Sequence, residues 1–161
     1  MANLDLLRLE RARRGDAPPI SRLSNAVIET GLRPSWSAQR VLRRIRDAES
    51  MVLVARDERE RIAGFAIMRY GDDSAHLDLL GVAPAWQRQG LGRRLVEWLE
   101  RSAIVAGTFQ VTLEVRADNP GGLEFYRTLG YAEVTRIRGY YRGLLDAISL
   151  RRDLRYLSTG R

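Results

Sequence analysis

The sequence of 161 residues has no cysteine, no lysine and a single histidine, His76. Without cysteine there is no disulfide scaffold, no thiolate metal site and no cysteine nucleophile. One histidine rules out a multi-histidine metal centre and leaves a Ser-His-Asp hydrolase only His76 to use, so no metal is expected. No apolar run reaches the ~18 residues a membrane span needs, and Met1–Glu10 lacks the basic-then-apolar layout of a signal peptide. A cytoplasmic protein without membrane contact is the expectation. There is no internal repeat, no low-complexity stretch and no linker. At roughly 100–200 residues per domain, residues 1–161 read as one domain. A chain of about 150 residues buries about 70% of its unfolded surface, so it builds a core without staples.

What is abundant is arginine. It supplies all 27 basic residues against 20 acids, a net charge of +7. Residues 136–161 hold seven Arg and two acids, which suits either an anionic partner or a solvated face. Tyr140, Tyr141 and Tyr156 lie beside arginines in the manner of single-strand nucleic-acid binders, but solvated strand ends look the same. Direct nucleic-acid binding is not expected, and both a monomer and a homodimer fit.

Along the chain, Leu4–Arg11 is β-compatible. Asp16 precedes Pro18 and Pro19 as an N-cap, opening a helix to about Glu29 that stops at Gly31. Ser35 or Ser37 caps a second helix with Val41, Leu42 and Ile45 on its apolar stripe. Met51–Ala55 and Ile62–Tyr70 form a hairpin around a charged turn, and Ala75–Val82 is a further strand. Leu91, Leu95, Trp98, Leu99 and Ala103 recur at helical spacing over Gly90 to about Ala106. A strand over Phe109–Arg116, a short helix from Pro120 to about Leu129, and strands over Tyr131–Arg138 and Leu144–Leu150 complete the chain. The order β-α-α-β-β-β-α-β-α-β-β predicts an α/β (α+β) fold with one mixed, mostly antiparallel sheet and helices on both faces.

Two stretches carry chemistry. In the first, Val82 ends a strand, Pro84 breaks it, and Gln87-Arg88-Gln89-Gly90-Leu91-Gly92-Arg93 leads into the long helix. Glycines let the backbone approach a ligand, and the free N–H groups of a helix start attract anions. Arg88 and Arg93 add full charges, so the segment suits a pyrophosphate. It is neither a Walker loop nor the three-glycine dinucleotide fingerprint. A glycine-softened helix start that binds nothing has the same pattern. Trp86, just before this loop, is expected to pack under it.

The segment resembles the signature of the GNAT superfamily of acyl-CoA-dependent N-acyltransferases, Gln/Arg-x-x-Gly-x-Gly/Ala after a strand, and the element order is similar over nearly the whole chain. The resemblance implies that acetyl-CoA is the co-substrate. It implies that the amides of Gln87, Arg88, Gln89, Gly90, Leu91, Gly92 and Arg93 hold its pyrophosphate, and that Leu80, Gly81 and Val82 line its pantetheine arm, with the strands splayed apart beyond.

The second stretch is Leu113-Glu114-Val115-Arg116-Ala117-Asp118-Asn119-Pro120, followed by Phe125-Tyr126-Arg127-Thr128-Leu129-Gly130-Tyr131. Strand alternation puts Val111, Leu113 and Val115 on one face and Thr112, Glu114 and Arg116 on the other. Tyr126 lies on the next helix, within reach of the strand's C-terminal end. Amide formation from a thioester needs a base for the amine, a donor for the oxyanion and an acid for the thiolate. A carboxylate serves as base. A backbone N–H near Val82 serves the oxyanion, and a phenol of pKa about 10 is a fair acid for a thiolate of about 8.5. A surface ion pair of Glu114 with Arg116, and a core role for Tyr126, fit the same residues. His76 is expected to be structural or solvent-exposed, too far before Val82 for chemistry.

Leu-Glu-Val-Arg-Ala-x-Asn, Phe-Tyr-x-x-Leu-Gly-Tyr, Arg-x-Arg-Gly-Tyr-Tyr (136–141) and Asp-Ala (146–147) together resemble the RimI-type ribosomal-protein alanine N-acetyltransferases. That resemblance implies that Glu114 is the general base, that Tyr126 is the general acid, and that Asn119 and Tyr126 contact the cofactor. The chain departs from the family in Pro34-Ser35-Trp36-Ser37, in Leu79-Leu80-Gly81-Val82, and in the Pro-Gly-Gly that follows Asn119. The first two fall where the acceptor would sit.

Only a neutral amine attacks. An α-amine has a pKa of about 7.7–8.0 and a lysine amine about 10.4, so at about 1.4 kcal/mol per unit the α-amine is about 3 kcal/mol easier to deprotonate at neutral pH. The expected acceptor is a protein N-terminus, such as that of a ribosomal protein. The alternatives are a small amine, for which Glu29, Asp72, Asp73 and Asp78 would have to line the groove, and a non-catalytic acyl-CoA or RNA-binding module.

Overall fold

In the computed structural model, which describes residues 3–29, 31 and 35–155, the elements follow the expected β-α-α-β-β-β-α-β-α-β-β order. Pro34 and Tyr156 lie outside the described residues. Among the described residues, seven strands and four α-helices make a mixed α/β fold. The chain divides into two compact units, Met1–Arg69 with Leu77–Arg101, and Tyr70–His76 with Ser102–Arg161.

The first unit holds β1 (Arg8–Arg11), α1 (Ala17–Val27), α2 (Ala38–Arg46), β2 (Ser50–Arg56), nearly all of β3 (Ile62–Tyr70), and the larger parts of β4 (Ala75–Val82) and α3 (Leu91–Val105). Its strands run in the order β1-β2-β3-β4. β2 is buried along its whole length, as its continuous apolar run demands. It pairs antiparallel with β3, Val52 opposite Ile67 and Val54 opposite Phe65. These side chains meet Ile20 of α1, Trp36 just before α2, and Val41 of α2 in one buried cluster with Leu79 of β4. Burying each such side chain contributes about 1.5–3 kcal/mol.

The second unit holds β5 (Gln110–Arg116), α4 (Pro120–Thr128), β6 (Ala132–Tyr141) and β7 (Leu145–Asp153), together with the first residues of β4. Its strand order is β5-β7-β6, and both pairs are antiparallel. β6 stands at the end of that order, is exposed over most of its length, and carries register shifts at Glu133/Thr135 and Ile137/Tyr141.

Several boundaries move from those expected. Leu4–Leu6 is a 3₁₀ turn, so the first strand begins at Arg8. Ser37 is the cap of α2, its Oγ accepting from the Arg40 N–H. Asp16 makes no side-chain cap for α1, contrary to expectation. Its carboxylate instead accepts from the Arg13 N–H and pairs with Arg56 of β2 through two hydrogen bonds of 3.0 and 2.8 Å. A guanidinium whose side chain is only 4% exposed needs a carboxylate more than a helix start does. Glu10 takes the remaining face of Arg56 at 2.6 Å.

Candidate active site

The loop before α3 is built largely by its own side chains. The Gln87 side-chain amide donates to the carbonyl of Val82 at 3.0 Å, and that of Gln89 donates to Ala85 at 3.0 Å. The two glutamines therefore tie the loop to the end of β4 and to the short turn at Pro84–Trp86. Trp86 itself is half-buried. Arg88 and Gly90 both adopt left-handed backbone, at φ 59° and 90°. At Gly90 a Cβ would have room, its nearest neighbour being Leu4 Cδ1 at 3.6 Å, so glycine is there for the dihedral angle. The side chain of Leu91 is buried, which leaves its backbone N–H as the group it can offer. Gly92 is half-buried; Arg88 and Arg93 are exposed, and Arg93 lies 3.5 Å from Glu97 one turn on. The first N–H groups of a fifteen-residue helix and two arginines make an anion-attracting end, and the left-handed turn fits a phosphate-bearing ligand.

On β4 burial alternates strictly. Ala75, Leu77, Leu79 and Gly81 are buried, while His76, Asp78, Leu80 and Val82 are half-exposed. Leu80 and Val82 thus share an open face, and Gly81 points the other way. A Cβ on Gly81 would stand 2.6 Å from Cε1 of Phe65 and 3.2 Å from Ile28, so the ring of Phe65 occupies the place of a methyl group. The departure from the family pattern at position 81 follows from core packing.

Two of the four acids proposed for a cationic acceptor are occupied by internal partners. Glu29 is buried and accepts from the N–H and Oγ of Ser35 and from the N–H of Trp36. Asp78 pairs with Arg69 at 2.8 Å and with Arg44 at 3.5 Å. Asp72 and Asp73 are exposed.

In the second unit, β5 alternates as the sequence predicts, with Val111, Leu113 and Val115 buried and Thr112, Glu114 and Arg116 on the open face. Arg116 pairs with Asp118 at 3.0 Å. Glu114 has different company. The Tyr140 hydroxyl donates to its Oε1 at 2.7 Å, and Nε2 of His76 lies 3.2 Å from the same oxygen. His76 is a half-exposed strand residue, as expected, but it does not stand apart from Glu114. It sits far from Val82 along β4 but beside Glu114 across the strands. Its Nδ1 is 2.7 Å from the Thr112 hydroxyl. No spacing rule connects residues 76, 114 and 140, which stand on three different strands, β4, β5 and β6.

Asn119 caps α4, its Oδ1 accepting from the Gly122 N–H at 3.0 Å, with Pro120 in the first turn. The Gly at 122 makes room for that cap, since a Cβ there would lie 2.5 Å from Asn119 Nδ2. Tyr126 sits on α4, its ring edge-on to Phe125 at 4.9 Å and to Tyr131 at 5.6 Å between centroids. Its hydroxyl has no hydrogen-bond partner among the described residues. Burial, and secondarily the charge of Tyr141, raises its pKa well above the ordinary phenol value, so it stays protonated at any working pH. Tyr141, at the end of β6, is pushed up to about 12, chiefly by burial and next by Glu114.

Residues 21–131 match the model of the acetyltransferase (GNAT) family. Over 92 residues the chain is 41% identical to a ribosomal protein bS18-alanine N-acetyltransferase of Salmonella typhimurium, covering 55% of this chain and 62% of that protein. It is 42% identical over 78 residues to the N-alpha-acetyltransferase RimI of Mycobacterium tuberculosis, covering 46% of each. The chain thus spans about half to three-fifths of the curated relatives it matches. The crystal structure of the Escherichia coli ribosomal-protein-alanine N-acetyltransferase superposes with a TM-score of 0.79 at 28% identity, over 92% of this chain and 94% of that one. The family match spans well over half of the sequence, and the chain belongs to the acetyltransferase (GNAT) family.

Proposed function

We propose that the chain is an acetyl-CoA-dependent N-acetyltransferase, working as one catalytic domain, that acetylates the N-terminal α-amine of a protein. The observation that carries this reading is the presence of two complementary groups in the second unit. Glu114 is a carboxylate on the open face of β5, and Tyr126 is a protonated phenol on the next helix with no hydrogen-bond partner among the described residues. One is equipped to take a proton and the other to give one.

Acetyl-CoA, when bound, supplies the thioester carbon that the amine attacks and the thiolate that leaves. In the first unit the backbone amides from Gln87 to Arg93 would hold its phosphates and Leu80, Gly81 and Val82 its arm; in the second unit the family resemblance assigns it Asn119. Glu114 takes the proton of the attacking amine. A backbone N–H near Val82 donates to the oxygen as it gains charge. Tyr126 gives its proton to the departing sulfur, and solvent resets both groups.

The relatives named as alanine N-acetyltransferases and as RimI support an α-amine acceptor. So does the occupation of Glu29 and Asp78 by internal partners, which leaves few carboxylates to attract a polyamine. A ribosomal protein is the acceptor we favour. The test is acetyl-CoA consumption against peptides beginning Ala, Ser or Met, a blocked peptide with an internal Lys, polyamines and aminoglycosides. Turnover confined to free N-termini is expected. Turnover on small amines alone overturns the acceptor, and Glu114→Gln at the wild-type rate overturns the base.

A further inference from the structure

We infer that His76 is the positioning residue for the Glu114 carboxylate, acting through an Nε2–H donated to Glu114 Oε1. The inference rests on the reading of Glu114 as base and extends it to a residue that the motifs do not include.

The ring is fixed at both nitrogens. Nδ1 lies 2.7 Å from the Thr112 hydroxyl and Nε2 lies 3.2 Å from Glu114 Oε1. Thr112 and Glu114 are two residues apart on the open face of β5, so one strand presents a partner to each ring nitrogen. A carboxylate oxygen only accepts, so the nitrogen that faces it must carry the hydrogen. The Thr112 hydroxyl, in contrast, both donates and accepts. It donates to Nδ1 when the ring is neutral. When the ring is charged it accepts from Nδ1–H and turns its own hydrogen to the carbonyl of Ala75, which lies 3.5 Å away. The Nε2–H to Glu114 bond therefore persists in either state. Tyr140 donates to the same oxygen, so Oε1 is anchored by two donors and the carboxylate is held in one orientation. A base that must meet a small amine at hydrogen-bonding distance depends on that orientation.

The two amide substitutions separate the two ends of the ring. His76→Asn puts an amide near the position of Nδ1, keeping Thr112 and abandoning Glu114. His76→Gln reaches the position of Nε2 and keeps a donor for Glu114. The expected result with an amine acceptor is a kcat lowered roughly 10–100-fold in His76→Asn, with KM for acetyl-CoA unchanged, and most of that loss restored in His76→Gln. In a Glu114→Gln background, His76→Asn should cost nothing further. Equal losses in the Asn and Gln variants, or full additivity with Glu114→Gln, would overturn the role.

A second measurement needs no acceptor. His76 is the only histidine, so the imidazole nitrogen signals of the labelled protein belong to it alone. In mildly alkaline buffer they should show the Nε2–H tautomer in the wild type and lose that preference in Glu114→Ala. An Nδ1–H tautomer in the wild type sinks the inference. If the tautomer is as expected and no amine is acetylated, the proposed activity fails while the His76–Glu114 bond stands.

Discussion

Tyr140 and Glu114 are 26 positions apart in the chain and 2.7 Å apart in space, joined by a hydrogen bond from the phenol to the carboxylate. The tyrosine comes from the Arg-Gly-Tyr-Tyr stretch near the end of β6, and the glutamate from the middle of β5. Tyr140→Phe removes a hydrogen-bond donor from Oε1. A hydrogen bond to a charged group contributes about 1.5–3 kcal/mol when buried and less when half-exposed as here, so kcat is expected to fall several-fold. Steady-state kinetics with acetyl-CoA binding measured alongside checks this; a loss of acetyl-CoA affinity in place of kcat would contradict it.

Tyr126→Phe keeps the ring against Phe125 and Tyr131 and deletes only the hydroxyl. Stability should hardly change, because that hydroxyl has no partner among the described residues to lose. Turnover should drop by about 100-fold or more if proton delivery to sulfur limits the rate. Because burial raises the Tyr126 pKa, the alkaline side of the rate profile should show no loss from this phenol through about pH 10, the ordinary tyrosine value. A descending limb that disappears in Tyr126→Phe would count against the assignment.

Gly81→Ala forces a methyl group to within 2.6 Å of the Phe65 ring, whose side chain is fully buried. Overpacking of this kind costs about 1–3 kcal/mol. The thermal midpoint should fall, and Phe65→Leu in the same chain should recover part of the loss. Acceptor preference should stay as it is, since the group added points into the core. A changed preference would return position 81 to the list of specificity residues.

Asp16 and Arg56 make a test of acid stability. Burial pushes the Asp16 carboxyl up, but hydrogen bonds from Arg56 and from the Arg13 N–H outweigh it, and the net pKa lies below the ordinary value. A carboxyl depressed by folding stabilises the protein above its unfolded pKa of about 3.9 and loses that contribution as pH falls through the folded value. Asp16→Asn should therefore be destabilised most at neutral pH, and its deficit should shrink in strong acid. Denaturant melts across that range measure it. Removing one partner of a buried pair costs about 3–5 kcal/mol, which sets the size expected at neutral pH.

The β-rich runs and the amphipathic helices were legible because burial in this chain follows period: β5 alternates residue by residue, and α3 repeats its apolar side chains every three or four. Pro120 and Gly130 marked the limits of α4 for the same local reason. Asp16 was misread because the signal for a helix cap, an acid before prolines, is also what a buried arginine forty residues on requires. The loop of Gln87–Arg93 and the Glu114–Tyr126 spacing lie within continuous segments, so pattern reaches them. His76 and Tyr140 do not, since each meets Glu114 only through the pairing of strands. The glycines at 81 and 122 read as departures from a family pattern, and became intelligible once Phe65 and Asn119 were seen filling the space.

β6 has β7 as its one strand neighbour among the described residues, and its register is broken twice. A strand held along one edge, with most of its side chains in solvent, belongs to the part of a fold that opens first. Its backbone amides should exchange with solvent ahead of those of β5 and β7. Each such opening also lifts Tyr140 from Glu114. The carboxylate then alternates between a tethered state and one freed of that phenol, at a frequency set by the fraying of a strand and not by the chemistry it serves.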